Sequence, residues 1–348
     1  MGGGLLHYLC DVTLAFWLTL GGVLMVFFTL AAYATLAERK VSAYIQDRVG
    51  PNRVGPWGLL QPLADVLKLV FKETFQPAAT YRFLQLVAPV LMVTLAMGAV
   101  AILPLSRHLR LFEGSVGVLY LLGVLSLTVY GLSLAGWATG SKYSLLGGLR
   151  SGAQTLSYEL SLGLALLSVL LLTAVKLPQE NPLLPQNIVE AQRDGWFVLI
   201  NPLGFLIYVV AAFAEANRAP FDFAEAEQEL VGGYHTEYSA IRFGAFFVAE
   251  YMNLITASAL ISTFFFGGYL GPFEEALKVP SWPILWQNVW GIGWLLLKTL
   301  CWAFVFMWVR WTLPRFRYDQ LMRLGWKVLL PAGVINLFVL AGILLLSS

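Results

Sequence analysis

Eight long apolar runs constrain how this 348-residue chain can fold. A helix needs about 20 apolar residues to cross a hydrocarbon core of about 30 Å, and each run supplies roughly that length. Runs such as VAPVLMVTLAMGAVAIL do not alternate like the strands of a membrane barrel, so helices must satisfy their backbone hydrogen bonds. The sequence therefore predicts an all-α polytopic membrane protein with about eight transmembrane helices in a single membrane domain, residues 1–348. The runs lie near residues 12–37, 83–103, 115–137, 158–175, 197–214, 242–270, 285–309 and 328–346.

Composition and cysteine usage support the membrane class and limit the chemistry of the chain. Only 12% of the residues are charged, against about 25% in soluble domains. The start, MGGGLLHYLCDV, has no basic region and no small-residue cleavage pattern, so we expect the first run to be a retained helix. Cys10 and Cys301 are far apart in sequence, which predicts no disulfide framework, zinc site or iron–sulfur site. Any redox centre must then belong to another chain.

Positive charge is distributed unevenly over the connections between the runs. Of the 22 Lys and Arg residues, sixteen fall in or beside the odd-numbered connections, five in the even-numbered ones, and Lys298 falls inside a run. Basic residues accumulate on the cytoplasmic side of membrane proteins. We therefore expect both termini outside and cytoplasmic loops near 38–82, 138–157, 215–241 and 310–327.

The first of these loops contains a segment with helical amphipathicity. In LLQPLADVLKLVFKETF, apolar residues share one stripe while Asp65, Lys68 and Lys72 share another, which predicts a helix over 61–75 lying in the membrane plane. That helix is either a simple surface anchor or the roof of a cavity. The preceding ERKVSAYIQDRVGPNRVGPWGLLQP lacks the G-K-[ST] ending of a nucleotide loop, so it indicates either a set of tight turns or a docking face for a partner.

An acidic cluster occupies the third predicted cytoplasmic loop. The stretch FDFAEAEQELVGGYHTEY contains no Lys or Arg, and its acids are Asp222, Glu225, Glu227, Glu229 and Glu237. A capping box would account for Asp222 and Glu225 alone. Like charges packed beside a membrane raise one another's pKa, so this loop is a candidate for proton exchange. His235, in the same loop, is a weaker candidate for the same role because a lone loop histidine is more often simply solvated.

Charged residues also lie inside or at the ends of the apolar runs. Glu250 and Lys298 fall well within their runs, where an isolated charge costs several kcal/mol, so each must be neutral, paired or hydrated. Glu38 and Glu159 fall at the predicted cytoplasmic ends of theirs. Each acid by itself is explained either by a satisfied interhelical hydrogen bond or by a role in proton or ion transfer, and the set at several depths favours a relay.

Aromatic residues accompany the acids. They suit either an apolar pocket with polar tips or an interfacial aromatic belt. The set consists of Tyr158, Phe223, Tyr234, Tyr238, Phe243, Phe246, Phe247 and Tyr251.

Four long stretches carry a family resemblance. They are AERKVSAYIQDRVGPNRVGPWGLLQPLADVLKLVFKE, GWATGSKYSLLGGLRSGAQTLSYE, AEANRAPFDFAEAEQELVGGYHTEY and WVRWTLPRFRYDQLMRLGWKVLLP. These stretches resemble the quinone-chamber membrane subunit, designated H, of proton-pumping NADH-quinone oxidoreductase, respiratory complex I. The resemblance runs from about residue 12 to 346. WATGSK departs from the family, which often has Ser-Asn before the Ser, and this affects only a local turn.

The resemblance implies two sets of site residues. One set would belong to a quinone-access chamber at the junction with the peripheral arm, and the other to an acidic path that connects the chamber to the proton-pumping subunits. The chamber residues would be Glu38, Arg39, Arg48, Asp65, Arg150, Arg218 and Arg310. The acidic path would comprise Glu159, Glu215, Asp222, Glu225, Glu227, Glu229, Glu237 and Glu250.

The resemblance also implies partners and a location. Quinone would be the substrate, with iron–sulfur clusters and flavin only in partner subunits and no metal or covalently bound cofactor here. Partners would be the peripheral-arm quinone-site subunits, small membrane subunits and membrane lipid, with no nucleic acid. We expect the chain in the bacterial inner membrane rather than the mitochondrial one. A membrane-bound hydrogenase subunit and an autonomous ion/proton antiporter are the alternative functions.

Overall fold

A computed structural model describes residues 2–111, 114–223, 231–272, 274 and 279–347, with side chains omitted at 2–16, 281 and 347. Over these residues the chain is helical and contains no strand. The α-helices are α1 (Gly2–Ile45), α2 (Gln61–Phe71), α3 (Arg82–Val100), α4 (Gly117–Ala138), α5 (Lys142–Lys176), α6 (Pro185–Glu190), α7 (Phe197–Ile200), α8 (Pro202–Glu215), α9 (Ala240–Phe265), α10 (Ile284–Thr312), α11 (Tyr318–Arg323) and α12 (Leu330–Ser347).

Shorter helical pieces complete the described architecture. Single 3-10 turns occur at Pro56–Gly58, Gly233–His235 and Val279–Ser281. A π-helical segment, Leu324–Leu329, joins α11 to α12, so the chain is helical without interruption from Tyr318 to the end of α12.

Seven helical segments in the described part of the chain are long and apolar enough to cross a membrane. The remaining predicted span, near 197–214, is shorter, because its apolar helix α8 has only 14 residues. The prediction of an all-α polytopic membrane protein is confirmed, and the number of spans stays approximate. The seven segments are Trp17–Ile45, Arg82–Val100, Gly117–Ala138, Lys142–Lys176, Ala240–Phe265, Ile284–Thr312 and Tyr318–Leu346.

The span near 197–214 is broken at Asn201. Pro202 has no N–H to continue a helix from α7, but it suits the first turn of α8. The Asn201 side-chain Oδ1 accepts a hydrogen bond from the Gly204 N–H at 3.0 Å, which caps α8, and its Nδ2 donates to Ser168 Oγ of α5 at 2.7 Å. Both halves of a buried amide are therefore satisfied at the break.

Helix α5 corrects the loop predicted at 138–157. It begins at Lys142, well before the apolar run that starts near 158. The intervening glycines and serines lower hydropathy, but they serve packing: a Cβ on Gly148 would lie 2.9 Å from the Leu132 carbonyl oxygen of α4. Small residues in membrane helices let backbones approach closely. The non-helical connection between α4 and α5 is consequently limited to a few residues after Ala138.

The other predicted loops are also shorter than expected. Helix α1 continues past residue 37 to Ile45, and α10 continues to Thr312. The predicted loop at 310–327 is corrected to a connection at 313–317, since the chain is helical again from Tyr318. Charged residues on an extended helix lower its local hydropathy without ending it, which explains the difference.

Helices α5 and α9 form the interior of the bundle. Within their most apolar windows, 61% of α9 and 50% of α5 is buried inside the protein, against 22% of the first and last spans. Helix α9 packs on α1, α3 and α10, while α5 packs on α4, α8 and α12. A larger part of α5 and α9 is therefore shielded by protein than in the outer spans.

Most of the aromatic set lies in this interior rather than in an interfacial belt. Tyr158, Phe246 and Tyr251 are among its buried members, and only Phe247 reaches the exposed class. Tyr234 and Tyr238 pack edge-to-face on Phe246, with ring centroids 5.2 and 4.9 Å apart. Burial therefore argues against the interfacial belt, and the apolar pocket stays a prediction. His235 lies in the same group, 5.3 Å from the Phe243 ring.

The amphipathic helix α2 ends at Phe71, earlier than the predicted end at 75. Its apolar stripe, which includes Leu63, Leu67 and Val70, is exposed to the surroundings. On another side Leu69 contacts α9, where a Cβ on Gly244 would meet it at 2.9 Å. An exposed apolar stripe on a short helix suits the membrane surface, and its orientation in the membrane plane stays a prediction.

Candidate functional site

A group of four charged side chains, of which two are buried and two partly buried, lies where α1, α9, α10 and the loop after α8 meet. We call Glu38, Arg218, Glu250 and Arg310 the charge cluster. Arg218 Nη1 donates to Glu38 Oε2 at 2.6 Å, and Arg310 Nη1 donates to Glu38 Oε1 at 2.7 Å. Arg218 Nε lies 2.9 Å from Glu250 Oε1, an ion pair in which the N–H does not point directly at that oxygen. Two carboxylates and two guanidinium groups thus balance in charge.

The loop that carries Arg218 is held in place by α5. Asn217 has a left-handed φ of 48°, a conformation that asparagine tolerates better than most residues and that turns the chain inward after α8. Gln154 Nε2 donates to the carbonyls of Ala214, at 2.9 Å, and Phe221, at 2.7 Å. One buried amide of α5 therefore fixes both ends of the loop around Arg218.

Arg218 is held in the charged form by its neighbours. Burial by itself would lower the pKa of Arg218, but the negative charges of Glu250 and then Glu38 outweigh it and raise the pKa above its usual value. The guanidinium carbon also lies 4.3 Å from the centroid of the Tyr251 ring, a cation–π distance. Arg218 therefore supplies a permanent positive charge at the buried end of the cluster.

The cluster is graded in exposure. The side chain of Arg218 is 1% exposed, that of Glu250 16%, and that of Arg310 28%. The cluster therefore opens to the surface on the side of Arg310, whereas Arg218 forms its closed end. A molecule that approached from that side would meet Arg310 first.

A second ion pair ties the start of the acidic loop to the α10–α11 connection. Arg315 Nη2 donates to Asp222 Oδ2 at 2.9 Å. The Phe316 N–H donates to the Pro220 carbonyl at 3.3 Å, and the rings of Phe221 and Phe316 stack with centroids 5.6 Å apart. Asp222 is therefore placed beside the charge cluster by contacts that lie far apart in sequence.

The other predicted chamber residues lie outside the cluster. Arg39 Nη1 donates to Asp65 Oδ2 at 2.8 Å, which links α1 to α2. Arg48 is bonded to Gln46 Oε1 and lines a cavity of about 460 Å³ together with Lys40, Tyr44, Trp57 and neighbouring residues. The Arg150 guanidinium lies 5.7 Å from the centroid of the Tyr318 ring. The structure thus divides the predicted chamber set into several local contacts.

Glu159 and Glu215 occupy a third location, between α4, α5 and α8. Glu159 accepts a hydrogen bond from Ser126 Oγ and lines an apolar groove of about 690 Å³. Glu215 is the last residue of α8, and its buried Oε2 has no hydrogen-bond partner in the described part of the chain. These two acids are near enough to interact electrostatically.

Of the remaining predicted acids, only Glu237 lies among the described residues. Gln85 Nε2 donates to the backbone carbonyl of Glu237 at 3.3 Å, and Gln85 Oε1 accepts from Arg242 Nη1 at 2.7 Å. Residues 224–230 lie outside the described residues, so the predictions for Glu225, Glu227 and Glu229 are not tested by this geometry. No group of three or more His, Cys, Asp or Glu side chains suited to a metal occurs among the described residues.

Several side chains of this region escaped the sequence analysis. Gln154, Gln85 and Ser126 were hidden inside helical segments, although polar residues in apolar runs are a signal that could have drawn attention to them. Arg315 was counted only as a basic loop residue. Which acid each one contacts depends on helix packing, and no local pattern contains that information.

Lys298 is stabilised by backbone carbonyl groups rather than by acidic side chains like those of the cluster. Its Nζ donates to the carbonyls of Phe266, Gly268 and Leu270, at 2.7, 2.9 and 2.7 Å. These carbonyls lie at and beyond the C-terminal end of α9, where orphan carbonyls and the helix dipole favour a cation. Of the three states open to a lysine inside a span, Lys298 is therefore the paired one.

Comparison with known proteins agrees with the sequence resemblance. A family model described as NADH dehydrogenase matches residues 18–341. The NADH-quinone oxidoreductase subunit 8 of Rhodothermus marinus is 54% identical over 91% of this chain and 94% of its own length. The subunit of the same enzyme that is designated H in Salinibacter ruber is 50% identical over 95% of this chain and 97% of its own length. Its counterpart in Geobacter metallireducens is 46% identical over 94% of this chain and 96% of its own length.

These matches cover nearly the whole chain at identities that establish common descent and a common fold. They confirm the predicted resemblance, and with it the expectation of a membrane subunit rather than a free-standing enzyme. The chain belongs to the family of NADH-quinone oxidoreductase membrane subunits designated H, a membrane subunit of complex I.

Proposed function

We propose that this chain forms the quinone-binding chamber of a proton-translocating NADH:quinone oxidoreductase and the acidic path that couples quinone reduction to proton pumping. The charge cluster is the observation that carries the proposal. Four ionisable groups packed at one place in a membrane domain are costly to bury in their charged forms, and such groups usually serve ion or substrate pathways. The relatives' names indicate the reaction that such a pathway would serve.

The arginines of the cluster would respond to charge in the chamber. Reduction of one quinone to quinol takes up two electrons and two protons, and the protons must be supplied by groups that recover them. Negative charge that arrived near Arg310 would compete with Glu38 for its guanidinium, because Arg310 is the more exposed partner of that carboxylate. A weaker hold on Glu38 would raise its proton affinity, and Arg218 would pass the change to Glu250.

Both predicted site sets remain part of the proposal. The chamber residues are Glu38, Arg39, Arg48, Asp65, Arg150, Arg218 and Arg310. The acidic path comprises Glu159, Glu215, Asp222, Glu225, Glu227, Glu229, Glu237 and Glu250, of which Glu250 is also a direct partner of Arg218. Two acids in one low-dielectric region titrate as a group, so a change at one member shifts the others.

Electrons would come from partner subunits that hold iron–sulfur clusters and flavin, and this chain would contribute no redox group. The proposed partners are the peripheral-arm quinone-site subunits and the small membrane subunits, in the bacterial inner membrane. Purification of the chain with its natural partners, followed by identification of the co-purified subunits, separates this assignment from the alternatives. Hydrogenase subunits would indicate the hydrogenase, and ion/proton exchange by the reconstituted chain alone would indicate the antiporter.

The mechanistic test is Glu250→Gln in the assembled enzyme. The amide keeps an oxygen near Arg218 but cannot exchange a proton, so we expect full assembly with quinone reduction and proton pumping both reduced by about 10²-fold, the usual loss for a group that transfers protons. Glu180→Gln is the matched control, since Glu180 lies on a surface turn and accepts a hydrogen bond from Asn187. Wild-type reduction and pumping in an assembled Glu250→Gln enzyme would contradict the proposed role of the cluster.

A further inference from the structure

A small, mainly apolar cavity with four polar residues in its lining lies in the interior between α3, α4, α5, α8 and α9. Its volume is about 30 Å³. A cavity must offer about 10–15 Å³ to hold a water molecule, so one or two waters fit here. Its polar lining comes from Tyr208 and Glu215 on α8 and from Asn253 and Thr256 on α9.

Two of the lining residues have buried polar atoms that need a partner. Oε2 of Glu215 and Oγ1 of Thr256 have no hydrogen-bond partner among the residues that the structure describes. The Thr256 side chain belongs to a residue only 2% exposed, so bulk solvent does not reach it. An unpaired hydroxyl in such a place costs about 1–3 kcal/mol unless water supplies the bond.

Thr256 differs from the other aliphatic hydroxyls of α9. Ser258, Ser262 and Thr263 each donate to the carbonyl four residues earlier, at 2.8, 2.9 and 2.8 Å. This back-bonding is the ordinary way for a hydroxyl to be satisfied inside a membrane helix. Thr256 lines the cavity instead, which indicates that its partner lies there.

The cavity stands between the charge cluster and the Glu159–Glu215 pair. Asn253 follows Glu250 by one turn of α9, and Glu215 precedes Arg218 by three residues. Residues three apart on a helix lie on the same side, so Asn253 continues from Glu250 toward Thr256. The cavity therefore contacts Glu215 directly and lies one helical turn from Glu250 along α9.

We propose that Asn253 and Thr256 bind a structural water against the carboxyl group of Glu215, and that this water connects Glu250 to Glu215. The role of this water rests on the proposed function, whereas its presence rests on the cavity alone. A proton from the Glu250 side would join the water oxygen while a different proton left for the Glu215 carboxylate, so the water is regenerated. Asn253 and Thr256 are positioning residues, because they hold the water and exchange no proton themselves.

The first test is cryo-electron microscopy of the assembled complex at a resolution that shows ordered water. We expect water density within hydrogen-bonding distance of both Thr256 Oγ1 and a Glu215 carboxyl oxygen. A dry cavity, or a water that contacts neither group, would overturn the proposal regardless of how any variant folds.

The second test compares Thr256→Val with Thr256→Ser and Thr263→Val. Valine keeps the shape of threonine but removes the hydroxyl, so we expect the density to be lost and proton pumping to fall about three- to tenfold, the effect of one hydrogen bond. Thr256→Ser should restore both. Thr263→Val, which removes a back-bonded hydroxyl from the same helix, should leave both unchanged.

Infrared difference spectroscopy measures the carboxyl signal of Glu215, which would not change if Thr256 served only in packing. The carboxyl signal of Glu215 is the one that disappears in Glu215→Gln, and we expect Thr256→Val to shift it. Loss of water and an altered carboxyl signal without any change in pumping would show that the water site is real and that the path does not use it. Unchanged pumping in Glu215→Gln would instead refute the proposed function while leaving the water site intact. A Thr256→Val enzyme with the wild-type carboxyl signal and wild-type density would refute the water site itself.

Discussion

Nη1 of Arg218 lies 2.6 Å from Oε2 of Glu38, although 180 residues separate the two in sequence. Their side chains are 1% and 4% exposed, so neither charge is shared with solvent. Helix α1 supplies the acid, and the loop after α8 supplies the base. This pair joins the first span to the middle of the chain and makes assembly of the helices a condition for burying either charge.

Arg218→Met is expected to destabilise the protein strongly. It leaves Glu38 and Glu250 buried together without their shared cation, and breaking a buried ion pair from one side costs about 3–5 kcal/mol. Thermal unfolding of the purified complex measures the loss. The control is Arg317→Gln, because Arg317 is 76% exposed and its pairing with Asp319 is worth about 1 kcal/mol or less. Equal losses in the two variants would show that burial does not govern the cluster.

Lys298→Met is expected to loosen the turn that follows α9. The change removes three hydrogen bonds to the carbonyls of Phe266, Gly268 and Leu270, and charged hydrogen bonds are worth about 1.5–3 kcal/mol each at most. Hydrogen exchange at residues 266–271 should become faster. Lys176→Met, which removes a single bond to the Ala191 carbonyl, should have a smaller and separate effect. Unchanged exchange at 266–271 would contradict the capping role.

Gly147→Ala is expected to displace the 3-10 turn Gly233–His235. The added Cβ would lie 2.9 Å from Gly233 Cα and Tyr234 N, which are backbone atoms that cannot rotate away. Overpacking of this kind costs about 1–3 kcal/mol. In Gly163→Ala on the same helix the new methyl group meets no atom within 4 Å, so stability should be kept or slightly improved. Thermal unfolding of both variants measures the difference. Comparable stability of the two would show that the Gly233–His235 turn can move to accommodate the added methyl group.

Asp65→Asn is expected to separate stability from function. Arg39 and Asp65 are 52% and 35% exposed, so their ion pair contributes about 1 kcal/mol or less and the unfolding temperature should barely change. If both belong to the chamber as proposed, quinone reduction by the assembled enzyme should nevertheless fall severalfold. Asp319→Asn is the matched surface control. A wild-type rate in Asp65→Asn would remove this pair from the chamber.

Hydropathy and charge were enough to establish the class of the protein. Long apolar runs leave the backbone no alternative to helices in lipid, so the all-α membrane fold followed from the sequence alone. The same physics explains why Glu250 and Lys298 could be singled out as buried charges that need a partner. The partners themselves, Arg218 for one and three carbonyls for the other, were not predictable, because they lie on other elements.

Helix ends were decided by packing that hydropathy does not record. The glycine-rich stretch before residue 158 resembles a loop because it is less apolar, whereas close approach to α4 makes it helical. The break at Asn201 depends likewise on Ser168 of α5, which receives one half of its amide. The residues alone therefore determined which charges had to be neutralised inside the membrane. The tertiary structure decided which groups neutralise them, since ion pairs and hydrogen bonds act over a few ångströms that only the packing of distant helices can provide.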